Sequence, residues 1–158
     1  MPDAAGTVRL YRLAKQKYGR QALEGRGGLE ADGRWHTAGR PVVYLASSEA
    51  LAVLEVRVHL GSIVPAEPYV LLTVEWPSRL VETLPKKRWP HRWDAVPFVA
   101  ATRRLGDQWL RDGRAAALRV PSVHSGSDFN VLFNPLHADA RRARIVSRAR
   151  HDFDSRLF

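Results

Sequence analysis

The sequence contains no cysteine, which excludes disulfide bonds and any zinc site built on cysteine ligands. No apolar run approaches the roughly 18 residues that a membrane-spanning helix needs, and the first residues lack the basic and then apolar order of a secretory signal. Acidic residues are the scarcer charge, because 16 Asp and Glu face 25 Lys and Arg and leave a formal net charge of +9. These absences favour a soluble, cytoplasmic protein with an anionic partner.

The length of 158 residues, of which 45% are hydrophobic and 26% charged, is enough to bury one core without a metal or disulfides. No repeat, low-complexity block or linker divides the chain, so we expect one domain over residues 1–158. Residues 140–158 form a basic C-terminal extension with six arginines against two aspartates. A solvated surface is the favoured interpretation of this extension, and a docking surface for an acidic partner is the alternative.

Hydrophobic periodicity predicts more strands than helices. Strands are expected at residues 7–13, 41–46, 69–76, 80–85, 115–120, 131–133 and 144–148. One helix is expected over SSEALAVLEVRVHLG, with Ser47 or Ser48 as its cap and Gly61 at its end, and another over 98–113. The first helix is apolar nearly all round, which predicts that it is sheltered on most sides. Because strands and helices do not alternate regularly, the pattern favours an α+β fold over a doubly wound sheet.

Glu55 is the most informative residue of the first helix, because it shares a face with Leu51 and Val58. A carboxylate among apolar neighbours needs a partner or a purpose. A structural ion pair with a strand arginine is one interpretation. The other is a partly desolvated carboxylate that stabilises a developing cation or accepts a proton. His59, one turn later, either orients this carboxylate or is simply packed.

Two arginines are natural counterparts of Glu55. Arg12 ends an apolar row that contains Val8 and Leu10, and Arg34 lies in the glycine-containing stretch ADGRWHTAG. A guanidinium binds phosphate or carboxylate with two parallel hydrogen bonds, and Gly33 would let a ligand approach the backbone closely. The six histidines show no metal-ligand spacing, and the common zinc, phosphate-loop and serine-hydrolase motifs are absent, so no metal is expected.

Taken in order, these segments resemble the RES-domain toxins over residues from about 7 to about 139. The matching segments are LYRLA with Arg12, DGRWHTAGRPVVYLASSEALAVLEVRVHL with Arg34, Tyr44 and Glu55, GDQWL, LRVPSV with Ser122, and FNVLFNPLHAD with Asn134. One departure is visible: family members commonly have an asparagine where His36 stands. No ligand contact is therefore assigned to residue 36.

The resemblance implies an α+β fold like that of the ADP-ribosyltransferase toxins, with mixed sheets and few helices. It implies NAD+ as substrate, no metal, and a cognate antitoxin of the Xre/helix-turn-helix type, through which alone nucleic acid would be reached. The toxin would cleave the nicotinamide–ribose bond and pass ADP-ribose to a protein, to water or to phosphate. By the same resemblance Glu55, Arg34 and Tyr44 are catalytic residues, and NAD+ is bound by Arg12, Arg34, Tyr44, Ser122 and Asn134.

These roles are chemically consistent with one another. Breaking the nicotinamide–ribose bond creates an oxocarbenium-like centre that a carboxylate such as Glu55 stabilises, while Arg12 and Arg34 hold phosphate or the distal ribose. Tyr44 would pack on the nicotinamide ring, and Ser122 would form a hydrogen bond to the ligand.

Two other classes of function remain open at this stage. The net charge of +9, the arginines near the C-terminus and the five tryptophans would suit an RNA-binding protein or ribonuclease toxin. Against this, the aromatic residues do not alternate with basic ones, and no RNA-recognition motif is present. The third class is an inactive scaffold that only binds its partner.

Overall fold

The computed structural model describes residues 6–158, which form an α+β fold on one seven-stranded sheet. The strands are β1 (Thr7–Lys15), β2 (Val43–Ala46), β3 (Tyr69–Pro77), β4 (Val81–Thr83), β5 (Ala117–Pro121), β6 (Phe129–Phe133) and β7 (Arg144–His151). The helices are α1 (Arg26–Glu30), α2 (Glu49–Leu60) and α3 (Ala100–Asp112). The sheet order is β4-β5-β6-β2-β1-β3-β7, with only β4 and β5 parallel, so the predicted mixed α+β architecture is confirmed.

Strand β1, in the middle of the sheet, is fully paired on one side and almost unpaired on the other. On one side, β1 pairs with β3 along its whole length, from Thr7 opposite Pro77 to Lys15 opposite Tyr69. On the other side it pairs with β2 at a single position, Tyr11 opposite Ala46. The two strands therefore share almost no ladder, and side chains can enter the space where their backbones diverge.

The sheet is covered by hydrophobic clusters on both faces. One face buries Val8, Leu10 and Trp76, whose ring meets Phe133 edge-on at 5.4 Å between centroids. The other face packs against α3 and against Trp35, which is 2% exposed. Buried residues alternate along β3 from Val70 to Trp76, and at Val8 and Leu10 of β1, as the two-residue period of a strand requires.

Helix α2 begins and ends where the sequence predicts. The Ser48 hydroxyl accepts the Leu51 N–H at 3.1 Å, and Gly61 ends the helix with a φ of 58°. The prediction that this helix is sheltered on most sides is wrong, because only Leu51 and Ala52 are buried. One face packs on the sheet, and apolar side chains such as Val58 remain exposed on the other. In residues 6–158, no helix combines the length and apolar character needed to cross a bilayer.

The basic C-terminal region supplies the strand at one edge of the sheet. Strand β7 pairs with β3 from Arg144 opposite Glu75 to His151 opposite Tyr69, with an irregularity between Thr73 and Val74. Most residues of β7 are exposed. Residues 144–151 are therefore part of the sheet.

Helix α3 holds the loop ADGRWHTAG against the sheet. The two carboxylate oxygens of Asp107 accept the Thr37 N–H at 2.8 Å and the Thr37 hydroxyl at 2.7 Å. At the neighbouring position, a Cβ on Gly106 would overlap the carbonyl oxygen of Trp35. The segment GDQWL thus combines a glycine that permits backbone contact with an aspartate that secures the loop.

Gly106→Ala should destabilise the protein, although alanine is normally about 1 kcal/mol better than glycine inside a helix. The added methyl group overlaps the Trp35 backbone, which cannot rotate away, so we expect a loss of about 1–3 kcal/mol in the free energy of unfolding. Urea denaturation measures this loss. Gly27→Ala in α1 is the matched control, because nothing lies within 4 Å of its Cβ position. Equal stability of wild type and Gly106→Ala would contradict the close packing.

Candidate active site

Glu55 lies near the point where β2 and β5 end and β6 begins. Its side chain is 34% exposed, and its Oε2 lies 3.6 Å from Nε2 of His124, in the segment that follows β5. Among the described residues, no arginine forms an ion pair with Glu55. The interpretation as a structural ion pair with a strand arginine is therefore not realised, and the carboxylate has a histidine as its polar neighbour.

Arg12 reaches from β1 towards the diverging strand β2. One terminal nitrogen donates to the Tyr44 carbonyl oxygen at 3.1 Å, while Nε is shielded from solvent and has no hydrogen-bond partner within residues 6–158. Burial lowers the pKa of the Arg12 guanidinium, and no carboxylate in residues 6–158 counteracts this effect. A cation held in this way attracts an anion that the described protein does not supply.

Arg34 fastens the loop ADGRWHTAG to the segment before α3. Its Nη1 donates to the carbonyl oxygens of Trp93 at 2.8 Å and Ala95 at 2.7 Å. Desolvation lowers the pKa of Arg34, while the negative charges of Glu55 and Asp94 act in the opposite direction. Arg34 therefore has a structural task and still contributes positive potential near Glu55.

Tyr44 and His36 form a buried chain of hydrogen bonds. His36 is 4% exposed, and its Nε2 lies 2.8 Å from the Ala31 carbonyl oxygen, which can only accept. In the neutral imidazole Nε2 is then the donor and Nδ1 the acceptor, so the Tyr44 hydroxyl, 2.7 Å away, donates to Nδ1. The same hydroxyl accepts the Trp35 N–H at 3.1 Å.

The Tyr44 hydroxyl is consequently occupied by the protein. Burial, the largest influence, raises the pKa of Tyr44 far above that of a free phenol, so the hydroxyl stays neutral. A Cβ on Gly33 would lie 2.5 Å from this hydroxyl oxygen and 2.7 Å from the His36 ring. The glycine was expected to admit a ligand, but the space beside it is filled by the side chains of Tyr44 and His36.

Ser122 and Asn134 lie at opposite ends of β6. The Ser122 hydroxyl accepts the His124 N–H at 3.1 Å, and Ser122 directly follows Pro121, the partner of Phe129 at the start of the strand. Asn134 follows the end of the strand, about 16 Å away at roughly 3.3 Å per residue. Its side-chain oxygen accepts the Leu136 N–H at 3.0 Å. The structure therefore brings Ser122 towards Glu55 and leaves Asn134 in a separate turn, where its contact with NAD+ stays a prediction.

His124 is the site residue that the sequence did not single out. It is one of six histidines without informative spacing, and the histidine considered for Glu55 was His59, one turn further along α2. His59 is exposed, and the polar side chain next to the Glu55 carboxylate is that of His124. No signal in a single sequence indicates this pairing, because the two residues meet only after β5, β6 and α2 have assembled.

Two cavities lie away from the arrangement around Glu55. Two cavities of about 300 and 220 Å³ border β4, and residues such as Leu84, Trp109 and Arg114 line them. Neither cavity is lined by Glu55 or Arg12. In residues 6–158, no three His, Asp or Glu side chains gather closely enough to hold a metal ion.

Comparison with known sequences places this arrangement in context. The family model described as the RES domain matches residues 9–154, which include β7. The protein named Toxin Res from Photorhabdus laumondii is 36% identical over 149 residues, which cover 94% of this chain and 96% of the relative. The Prs ADP-ribosylating toxin of a Sphingobium species is 37% identical over 154 residues, covering 92% and 95% respectively. A Toxin Res from Pseudomonas putida is 45% identical over 140 residues, covering 86% and 92%.

Comparison of the fold gives a consistent result. A chain in the crystal structure of the M. tuberculosis MbcT–MbcA toxin–antitoxin complex superposes with a TM-score of 0.66 and 18% sequence identity. The match covers 92% of this chain and 85% of that chain. At this level of identity the comparison shows a shared fold.

The buried Tyr44 hydroxyl predicts a pH-dependent stability difference between wild type and Tyr44→Phe. The substitution leaves the Trp35 N–H without its acceptor and the His36 ring without its donor, which should cost about 1–3 kcal/mol near neutral pH. The folded-state pKa of Tyr44 is raised above the ordinary value of 10.0, so just above that pH only the unfolded chain releases the phenol proton. Proton release stabilises the unfolded state of wild type, whose free energy of unfolding therefore falls, while Tyr44→Phe has no such proton to lose. Urea denaturation should therefore show a difference that is constant below about pH 10 and narrows above it.

Tyr18→Phe is the matched control, because Tyr18 is 53% exposed. Loss of its hydroxyl group should not produce a stability difference that narrows with pH. A Tyr44→Phe difference that stays constant through the alkaline range would contradict the buried, neutral phenol.

Proposed function

The chain belongs to the RES domain family, and from that premise we propose that it is a NAD+-consuming toxin of a toxin–antitoxin pair. It cleaves the bond between nicotinamide and ribose and passes ADP-ribose to a protein, to water or to phosphate. The names of the relatives from Photorhabdus and Sphingobium, which refer to a toxin and to an ADP-ribosylating toxin, support this assignment.

The observation that carries the proposal is that, among residues 6–158, the part-buried Arg12 guanidinium has no anionic partner and the Glu55 carboxylate has no arginine partner. NAD+ supplies what each group lacks. Its pyrophosphate offers the negative charge that Arg12 needs, and its nicotinamide ribose becomes positively charged as the glycosidic bond breaks. Arg34 adds positive potential close to Glu55. The two side chains are near enough for the negative charge of Glu55 to raise the pKa of Arg34, against the lowering effect of desolvation.

The departure of nicotinamide requires no general acid from the protein. The glycosidic C–N bond breaks with both electrons moving to the pyridinium nitrogen, so nicotinamide departs as a neutral molecule without requiring a proton. The sugar carbon becomes oxocarbenium-like, and the Glu55 carboxylate stabilises it. The acceptor then bonds to that carbon; water or a protein group gives up its proton to the Glu55 carboxylate, whereas an ionised phosphate oxygen has no proton to lose.

Tyr44 contributes its ring in this scheme. Its hydroxyl is held by Trp35 and His36, so the aromatic face is what remains for packing on nicotinamide. Fixing the ring costs little additional entropy on substrate binding, because the hydrogen bonds of the loop already restrain it.

The acceptor is identified by the product. Mass spectrometry after mixing the protein with NAD+, phosphate and cell lysate gives free ADP-ribose for water, ADP-ribose 1″-phosphate for phosphate, and a modified polypeptide for a protein acceptor. The name of the Sphingobium relative favours the third outcome.

The partner we propose is a cognate antitoxin of the Xre/helix-turn-helix type, which would also be the only link to nucleic acid. The similarity in fold to a chain of a toxin–antitoxin complex supports such a partner. An antitoxin that blocks access to Glu55 would allow a cell to synthesise this enzyme without losing its cytoplasmic NAD+.

Glu55→Gln should abolish nicotinamide release, with a loss of roughly 100-fold or more, because the shape is kept and the stabilising charge is removed. Chromatographic measurement of nicotinamide after incubation with NAD+ tests this expectation, and a thermal melt checks that the fold persists. Glu49→Gln in the first turn of the same helix is the matched control, because Glu49 is exposed and lies outside the site. Undiminished turnover in Glu55→Gln would refute the proposed role, and cleavage of RNA by wild type without nicotinamide release would favour the ribonuclease alternative.

Arg12→Ala should weaken NAD+ binding by about 10- to 100-fold, the range expected for the loss of charge-assisted hydrogen bonds. Titration calorimetry in the Glu55→Gln background measures the affinity without turnover. Arg9→Ala is the matched control on the same strand, since Arg9 is exposed and pairs with Glu75 at 3.3 Å. An unchanged affinity of Arg12→Ala would remove Arg12 from the binding site.

A further inference from the structure

We propose that His124 is a positioning residue for Glu55: its imidazole holds one carboxylate oxygen, so that the other is presented to the nicotinamide ribose. The proposal rests on the function proposed above. It assigns a task to a histidine that neither composition nor motif distinguishes.

The two oxygens of the Glu55 carboxylate have different surroundings. Oε2 lies 3.6 Å from His124 Nε2, slightly beyond hydrogen-bond distance, and Oε1 accepts no hydrogen bond from any residue in 6–158. A glutamate that is 34% exposed would otherwise sample several rotamers. A neighbour that engages one oxygen restricts the side chain and leaves the second oxygen directed elsewhere. In the absence of substrate such contacts are often long and shorten in the complex, so 3.6 Å is compatible with a hydrogen bond during catalysis.

His124 is itself fixed through its backbone. Its N–H donates to the Ser122 hydroxyl at 3.1 Å, which closes a tight turn directly after β5. Ser122 is 6% exposed, so this hydrogen bond is protected from competing water. Ser122 therefore acts on Glu55 through His124, in addition to any contact with the ligand.

The other end of the same loop is attached to the residue that precedes the cap of α2. The Ser47 hydroxyl accepts the Phe129 N–H at 2.9 Å and donates to the Asp128 carboxylate, also at 2.9 Å. The Ser125 hydroxyl donates to the other oxygen of Asp128 at 2.9 Å. Hydrogen bonds from Ser125 and Ser47 lower the pKa of Asp128, so its carboxylate remains charged and the attachment persists. The loop that carries His124 and the helix that carries Glu55 are thus joined at a common point.

Two different parts of the structure meet the two geometric requirements that catalysis places on the Glu55 carboxylate. The carboxylate must be close to the sugar carbon, and it must present an oxygen in a defined direction as charge develops. Helix α2 meets the first requirement by placing the Cα of Glu55, and His124 meets the second by restricting the end of the side chain.

Kinetics of three variants test the proposal. His124→Ala should lower kcat for nicotinamide release about 10- to 100-fold while KM for NAD+ changes less than about twofold, because orientation is lost and binding is retained. His124→Gln keeps a side-chain N–H donor and should restore most of kcat. His91→Ala is the matched control, because His91 is exposed and far from Glu55 in the sequence. Wild type and the three variants should have similar melting temperatures. A wild-type kcat in His124→Ala, or a raised KM with kcat unchanged, would overturn the positioning role.

A second measurement does not depend on turnover. The side-chain nitrogen resonances of the six histidines are compared by NMR between wild type and Glu55→Gln. The signals of His124 should move most and those of His91 should stay in place. Unmoved His124 signals would refute the contact even if NAD+ is consumed. Shifted His124 signals in a protein that releases no nicotinamide would instead show that the proposed function fails while the side-chain pairing is correct.

Discussion

The contact between the Gly106 backbone and the Trp35 carbonyl is the constraint on which the candidate site depends. Because α3 carries no side chain at this point, the loop ADGRWHTAG can lie directly on the helix, where Asp107 secures it. That placement sets the Trp35 N–H and the His36 ring against the Tyr44 hydroxyl, and it directs Arg34 towards Trp93 and Ala95. The absence of a side chain at Gly106 thus allows the loop to fix the positions of the Tyr44 ring and the Arg34 guanidinium.

The distribution of charge follows from the same framework. Arg12 and Glu55 are not paired with each other: within the described residues Arg12 has no carboxylate partner, and Glu55 has no ion pair with an arginine or lysine. Such an arrangement lowers the stability of the free protein, and under the proposed function it favours a ligand that carries both charges. The divergence of β1 from β2 after their one shared position makes room for it.

Local patterns predicted much of the fold but only part of the site. Helix α2, with Ser48 and Gly61 at its ends, and the alternating strand β1 were predictable, because capping and periodicity depend on neighbouring residues. Gly106 shows the limit: within the sequence it only weakens a helix, and its purpose appears when the Trp35 carbonyl lies against it. The pairing of Glu55 with His124 was unpredictable for the same reason, since it depends on how distant segments pack.

Within residues 6–158, strand β7 leaves one long edge of the sheet unpaired, with its backbone groups available to a further strand. Its exposed side chains include Arg144, Arg148 and Arg150, which would bring like charges together if two molecules aligned these edges. Electrostatic repulsion therefore opposes fibril-like stacking of the protein with itself. The arginines that raise the isoelectric point to about 10.8 thus also place charged side chains on an open sheet edge, a feature that disfavours edge-to-edge association.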